Sequence, residues 1–319
     1  MRFRTDTALI TGSIAPLITP FTDSGALDTA SLRRLVRWQI AAGSHGLSIG
    51  GSTGEPSAQT IAERIEAIET VADENNDRVP FIPGTGSAKL DETLEITAAA
   101  RAAGADAALI ITPYYARPTQ EALYRWYGTI AGEFPDLPII MYNVPSRTAV
   151  DLDPSTVARL HRDFDNIVGI KETTKDFEHF SRVIFEAGES ISVWSGIELL
   201  CLPLLALGGV GFVSAVSNIA PHTVARMYEL WTAGDHDGAR ALHYALHPLV
   251  DLLFVETNPA PVKWVLHQQG RIASPHVRSP LITPTPAGID KIETLLGQAS
   301  TILTEEKAFS TILTEEKAL

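Results

Sequence analysis

The sequence predicts an α/β protein, a (β/α)8 barrel followed by a C-terminal helical appendage, and three observations carry that expectation. Short apolar runs rich in β-branched residues recur about every thirty residues. Stretches with helical spacing of apolar residues lie between them. The runs are nearly continuous in apolar character, as strands are when helices cover both faces of a parallel sheet.

Eight runs qualify as strands in chain order: Ile14 to Thr19, Gly46 to Gly50, Val79 to Gly84, Ala107 to Thr112, Pro138 to Tyr142, Ile167 to Lys171, Ile191 to Ser195 and Gly211 to Ser214. Helical stretches fall between them at Asp28 to Ala42, Thr60 to Asn75, Lys89 to Ala103, Gln120 to Phe134, Asp153 to Asp163 and Glu198 to Leu207. Asp28 and Asp153 stand where helix N-caps belong. Pro221 to Thr232 supplies the last barrel helix. Asp235 to about Gln269 and Thr285 to Leu296 supply the appendage, joined by a Pro-rich connector at Ala273 to Pro286.

The expected organisation is an N-terminal extension at 1–12, a catalytic barrel at 13–234, a helical region at 235–297 and a tail at 298–319. In the tail, STILTEEKA at Ser300 to Ala308 recurs at Ser310 to Ala318. One exact tandem copy at a terminus reads as a disordered tail or a cloning or frameshift scar, since repeat architectures need several stacked units.

With 319 residues, 45% of them hydrophobic and 20% charged, the chain has ordinary globular proportions, which excludes collagen-like, coiled-coil and disordered classes. A formal net charge of −13 without any basic run repels phosphate backbones and anionic lipid, so no nucleic-acid partner is expected. Cys201 is the only cysteine; no intrachain disulfide or Cys-based zinc site can form, and a reducing, cytoplasmic setting is expected. No apolar stretch of signal-peptide length precedes Pro16. Leu199 to His222 lacks Asp, Glu, Lys and Arg and is long enough to span a bilayer. Pro203, the turn Gly208 to Gly211, Ser214, Ser217 and Asn218 break it into a buried helix, a turn and a buried strand, so no membrane association is expected.

Barrel enzymes carry their reactive groups at the C-terminal ends of strands. Here those ends are polar: Gly50-Gly51-Ser52-Thr53-Gly54-Glu55, Thr112-Pro113-Tyr114-Tyr115, Tyr142 to Thr148, and Gly169-Ile170-Lys171-Glu172. Of seven lysines, Lys171 alone directly follows a buried-looking strand. Burial disfavours the ammonium and leaves a nucleophilic amine that can condense with a ketone. A lysine paired with a rim carboxylate such as Glu172 is the plainer alternative, but strand alternation sends Glu172 to the opposite face. Tyr142 ends the neighbouring strand, where its phenol can move protons to and from a lysine adduct. Ser52, Thr53 and Gly54 form a small, donor-rich turn entering a helix, able to hold a carboxylate or simply to cap that helix. Arg147, in the following loop, can grip a second carboxylate bidentately or stand as a solvated charge.

Other features carry less. Gly208 to Gly211 precedes a strand instead of following the first one, so it is a turn and no dinucleotide fingerprint. His243 and His247 share a helix face without a third ligand, and no metal is expected there. Cys201 reads as buried filler.

Taken together, Gly51-Ser52-Thr53-Gly54-Glu55, Tyr142-Asn143-Val144-Pro145 and Gly169-Ile170-Lys171-Glu172, in this order and spacing, resemble the dihydrodipicolinate synthase / N-acetylneuraminate lyase superfamily of class I aldolases. The likeness runs from about Ser13 to Gly297. Thr112 to Tyr115, Tyr142 to Thr148 and Glu256-Thr257-Asn258-Pro259-Ala260-Pro261-Val262-Lys263 look most like its synthase branch.

The resemblance implies a TIM barrel and a lysine–enamine cycle. Lys171 would form an imine with pyruvate, whose carboxylate rests on Ser52, Thr53 and Gly54, with Val213 also lining the substrate. Tyr142, Ser52 and a Tyr115 reaching across from a neighbouring subunit would form the proton relay. Arg147 would receive the carboxylate of aspartate semialdehyde, giving 4-hydroxy-tetrahydrodipicolinate on the route to lysine. A homotetramer of two tight dimers, with neither metal nor organic cofactor, completes the implied picture. Ser52 stands where synthases usually carry Thr, Thr173 to Asp176 and Glu198 depart from the usual loops on the second-substrate side, and Arg64 replaces the His of lysine-inhibited synthases. The same enamine chemistry on a 2-keto-3-deoxy sugar acid, sialic acid or aromatic substrate is the alternative activity, and a non-catalytic keto-acid-binding barrel is the alternative class.

Overall fold

The apolar runs become seven strands among the described residues, which in this computed structural model are 10–316. In chain order the elements are β1 (Gly12–Pro16), α1 (Thr29–Ala41), β2 (Gly46–Ser48), α2 (Ile61–Asn75), α3 (Leu90–Ala102), β3 (Ala108–Ile111), α4 (Gln120–Glu133), β4 (Ile139–Asn143), α5 (Pro145–Thr148) and α6 (Pro154–Asp163). They continue with β5 (Ile167–Glu172), α7 (Phe177–Ala187), β6 (Ser192–Ser195), α8 (Cys201–Ala206), β7 (Gly211–Val213), α9 (Pro221–Thr232), α10 (His236–Ala245), α11 (His247–Leu253), α12 (Ala260–Gln268), α13 (Pro286–Gln298) and α14 (Ser300–Glu316). The chain forms two compact units, one built on Pro80–Val213, the other joining Gly12–Val79 to the stretch from Ser214 onward.

In the first unit five parallel strands lie in the order β3, β4, β5, β6, β7. Their registers set Ile111 beside Tyr142, Tyr142 beside Lys171, and Lys171 beside Trp194. Gly169 makes that spacing possible, because a Cβ there would collide with the Ser192 carbonyl and the Trp194 ring. Ile110, Tyr127, Ile139, Met141, Phe180 and Val193 belong to one buried cluster of strand and helix residues. In the second unit β1 and β2 pair in parallel, Ile14 with Gly46 and Pro16 with Ser48.

Six helix starts among the described residues carry a side-chain cap bond. Asp28 accepts from Ser31 N at 2.9 Å at the start of α1, and Thr60 with Glu63 forms a capping box on α2. Asp153 holds the N-cap position of α6 as expected, but its side chain makes no cap bond, and Pro154 at the first helical position starts that helix.

Two expectations are corrected. The run Val79 to Gly84 is no strand; Gly84 makes an isolated parallel bridge with Leu109. Pro80 and Pro83 supply no N–H to a ladder, so Asp106 N and Leu109 N donate to the Phe81 and Pro83 carbonyls, both at 2.9 Å, without a named strand forming. The expected disordered tail is a helix, α14, at least as far as Glu316. Ile302, Glu306 and Phe309 recur at i, i+4 and i+7, one helical face. Glu306 accepts from Thr223 N and Thr223 Oγ1, both at 2.7 Å, and the Phe309 ring stacks on His222 at 3.9 Å between centroids. Glu306 thereby satisfies donors that the first turn of α9 leaves open. The last residues of the second copy, and positions 1–9 of the N-terminal extension, lie outside the described residues. Leu199 to His222 divides as expected into α8, a glycine turn and β7, and no described helix is long and apolar enough to cross a membrane.

Candidate active site

The first unit brings Lys171 and Tyr142 together. Lys171 ends β5, is 6% exposed, and places its Nζ 4.1 Å from the centroid of the Tyr142 ring on β4. Gly196, just beyond β6, keeps that space open: a Cβ there would strike Lys171 Cε and the Thr173 methyl. Alternation along β5 turns Glu172 away, as expected. Its fully buried carboxylate accepts from Asn143 Nδ2 at 3.0 Å, Thr173 N at 2.8 Å and Thr174 N at 2.9 Å, and lies 3.2 Å from His179 Nε2. Burial by itself lowers the His179 imidazolium, but Glu172, helped by Asp151 and Asp176, outweighs it and holds the ring above its usual value. Asn143 also donates to Asp151 Oδ1 at 2.7 Å. These acids and their donors fix the strand ends from the side opposite Lys171.

Arg147 is exposed on the one-turn helix α5, where a loop was expected; Pro145 starts that turn and Arg147 N donates to the Val144 carbonyl at 2.9 Å. Tyr115 follows β3 in a left-handed backbone conformation, φ 75°, with 94% of its surface exposed. For a bulky residue that conformation costs on the order of 1 kcal/mol or more. Val213 closes β7 and is buried.

The second unit holds the hydroxyl turn. Ser52–Gly54 is a single 3₁₀ turn, followed by another at Pro56–Ala58, and α2 begins only at Ile61. The turn therefore does not enter a helix directly, which corrects the expectation; its donors are the hydroxyls and local N–H groups. Thr53 Oγ1 accepts from Asn258 Nδ2 at 3.0 Å. Glu55, at φ 55°, sends its carboxylate inward to Lys263 Nζ at 2.5 Å and to Arg278 N at 3.0 Å. Lys263 also donates to the His276 carbonyl at 3.0 Å and lies 4.1 Å over the Phe21 ring. Burial pulls this amine down to about 8, with Glu55 opposing. Asn258 and Lys263 stand in the motif Glu256 to Lys263, and nothing in the sequence near them announces their partners, Thr53 and Glu55, some two hundred positions earlier.

Cys201 and the His243–His247 pair lie elsewhere in the chain. Burial, with Glu198 nearby, pushes the Cys201 thiol well above its usual range, as for inert filler. His243 and His247 pack edge to face at 5.4 Å, and no group of three metal-ligating side chains occurs among the described residues.

Comparison with known proteins agrees with the motifs. The model of the dihydrodipicolinate synthetase family matches residues 9–299. The 4-hydroxy-tetrahydrodipicolinate synthase of Thermus thermophilus is 46% identical over 297 residues, 93% of this chain and 99% of that protein. Among solved structures, the 4-hydroxy-tetrahydrodipicolinate synthase of Methylacidiphilum fumariolicum superposes with a TM-score of 0.89 at 36% identity, covering 94% of this chain and 99% of that one. A chloride-inhibited dihydrodipicolinate synthase from Acinetobacter baumannii, solved in complex with pyruvate, gives 0.87 at 38% identity, covering 91% and 99%. The fold class follows from that likeness, an α/β barrel of the (β/α)8 type with C-terminal helices. With motifs, strand ends and these relatives in agreement, the chain is an enzyme that belongs to the dihydrodipicolinate synthetase family.

Proposed function

We propose that this chain acts as a 4-hydroxy-tetrahydrodipicolinate synthase, condensing pyruvate with aspartate semialdehyde through an imine on Lys171. The observation that carries this reading is the amine at the end of β5, buried against the Tyr142 ring and, among the described residues, paired with no carboxylate. The Acinetobacter relative's complex with pyruvate supports the choice of keto acid.

In the proposed cycle the Lys171 amine attacks C2 of pyruvate and water leaves, forming the imine. Ser52 and Thr53 receive the carboxylate, Gly54 leaves their turn unobstructed, and Val213 borders the methyl group. Loss of a methyl proton yields the enamine, whose carbon forms the new bond to the aldehyde while the aldehyde oxygen takes a proton. The amine of the condensed product then replaces Lys171 at C2, closing the ring and freeing the enzyme. These steps use neither metal nor organic cofactor. Arg147 holds the carboxylate of the aldehyde by a charge-assisted pair.

Protons travel by Tyr142, Ser52 and the Tyr115 of a second copy. The almost fully exposed Tyr115 supports this arrangement, because its ring is open to a second copy. The assembly in this reading is a homotetramer of two dimers working in the cytoplasm.

The test is borohydride reduction in the presence of pyruvate. The unaltered chain gains the mass of a reduced adduct, Lys171→Ala gains none, and Arg147→Ala keeps the adduct while kcat/KM for the aldehyde falls on the order of a hundredfold. Equal loss of trapping in both variants contradicts the roles. A panel of aldehydes ranked by kcat/KM decides the second substrate: a best aldehyde without a carboxylate removes aspartate semialdehyde from the reading.

A further inference from the structure

The motif Glu256 to Lys263 has no part in the cycle above, yet it reaches the hydroxyl turn at two points. Asn258 donates to Thr53 Oγ1 at 3.0 Å, and five residues later Lys263 pairs with Glu55 at 2.5 Å, so the segment grips the turn on both sides of Gly54. We propose that Asn258 is a positioning residue for the keto-acid carboxylate, acting by setting the direction in which the Thr53 hydroxyl donates. This deepens the imine reading and rests on it.

An amide nitrogen can only donate, whereas a threonine hydroxyl has one proton and two lone pairs. With a lone pair taken by Asn258, the Thr53 proton is directed elsewhere. A carboxylate only accepts, so a hydroxyl held in this sense is a donor ready for it. Both residues are 5% exposed, and water is poorly placed to substitute for the bond. Asn258 Oδ1 is buried without a hydrogen-bond partner among the described residues, so the bond donated to Thr53 is the one this amide makes there. An acid at 258 would reverse the bond: Thr53 would donate to it and present lone pairs to the substrate's negative charge. Lys263 and Glu55 keep the register in which this matters, holding Glu55 in its left-handed conformation, while the Glu55 carboxylate also accepts from Arg278 N.

The experiment measures pyruvate KM, kcat and borohydride trapping on the full chain, with Tm as a check on folding. Asn258→Asp is expected to raise pyruvate KM about a hundredfold and Asn258→Ala about tenfold, with kcat within about threefold and trapping retained at saturating pyruvate. In a Thr53→Val background, Asn258→Ala should add less than about a twofold change, because the hydroxyl it orients is gone. A purely structural role would lower kcat along with Tm and would multiply in the double variant. Should Asn258→Asp fail to fold, Asn258→Ala and the double variant decide. Pyruvate KM within twofold of the unaltered chain, or effects that multiply, overturn the inference alone. Absence of trapping in the unaltered chain overturns the imine reading and this inference with it.

Discussion

Lys171 in the first unit and Lys263 in the second are both cut off from solvent, at 6% and 0% exposure, yet the surroundings of the two amines differ. Lys263 is tied to Glu55, to a backbone carbonyl and to an aromatic face, all at once. Lys171 faces the Tyr142 ring, and the acid next to it in sequence is occupied by Asn143, two backbone N–H groups and His179. Depth of burial alone therefore does not tell the two amines apart; their partners do. A buried amine paired with a carboxylate is held as a charge that offsets another charge, and removing either leaves the other uncompensated. A buried amine beside a phenol, with space kept open by a glycine, has its lone pair to offer once deprotonated.

The contrast can be broken first at Lys171. Lys171→Ala should lower kcat by on the order of 10⁴ or more while leaving Tm nearly unchanged; a variant that keeps even a tenth of the activity would undo the distinction. Lys263→Met should do the reverse, costing about 3–5 kcal/mol in denaturant unfolding because Glu55 is left buried and unpaired. The folded fraction should still trap pyruvate. Pairing Lys263→Met with Glu55→Gln should recover most of that loss, since no buried charge remains; the same unfolding measurement reads it.

A finer test lies in the phenol. Tyr142→Phe keeps the ring under Lys171 Nζ and removes only the hydroxyl, so adduct formation at equilibrium should persist while turnover falls about a hundredfold. Loss of the adduct itself would mean that the ring environment, rather than proton transfer, was disturbed. The smallest effect concerns the acid behind the strand. His179 is held above its usual value by Glu172, so its contribution to stability is fully present below about pH 6.5 and declines as pH rises through the raised folded value. His179→Gln should flatten the fall in Tm between about pH 6 and pH 9, an effect of a degree or two. An unchanged pH profile would show that the pair adds nothing to stability.

Much of this site was legible in the sequence because strand alternation and strand ends are local properties. Lys171 after an apolar run, Glu172 on the opposite face and Tyr142 on the adjacent strand all follow from a period of two and from strand order. Less legible were features depending on how a hydrogen-bond donor is used. Pro80 and Pro83 sit in a run as apolar as its neighbours, and their missing N–H groups kept it from becoming a strand. In the tail, Ile302, Glu306 and Phe309 have helical spacing, but the Thr223 and His222 that dock it against α9 lie some eighty positions away.

The sequence by itself determined the alternation of strands and helices, the cap of α1, and the strand end at which Lys171 stands, since each depends on neighbours within a few positions. Only the tertiary structure decided which acids were already taken and which hydroxyl was aimed. Asn258 meets Thr53 across 205 positions, and the partners of Lys263 and Glu306 are likewise remote in the chain. No local period encodes such pairs: they form when burial removes water and each polar group must find its partner among whatever the packed chain brings near it.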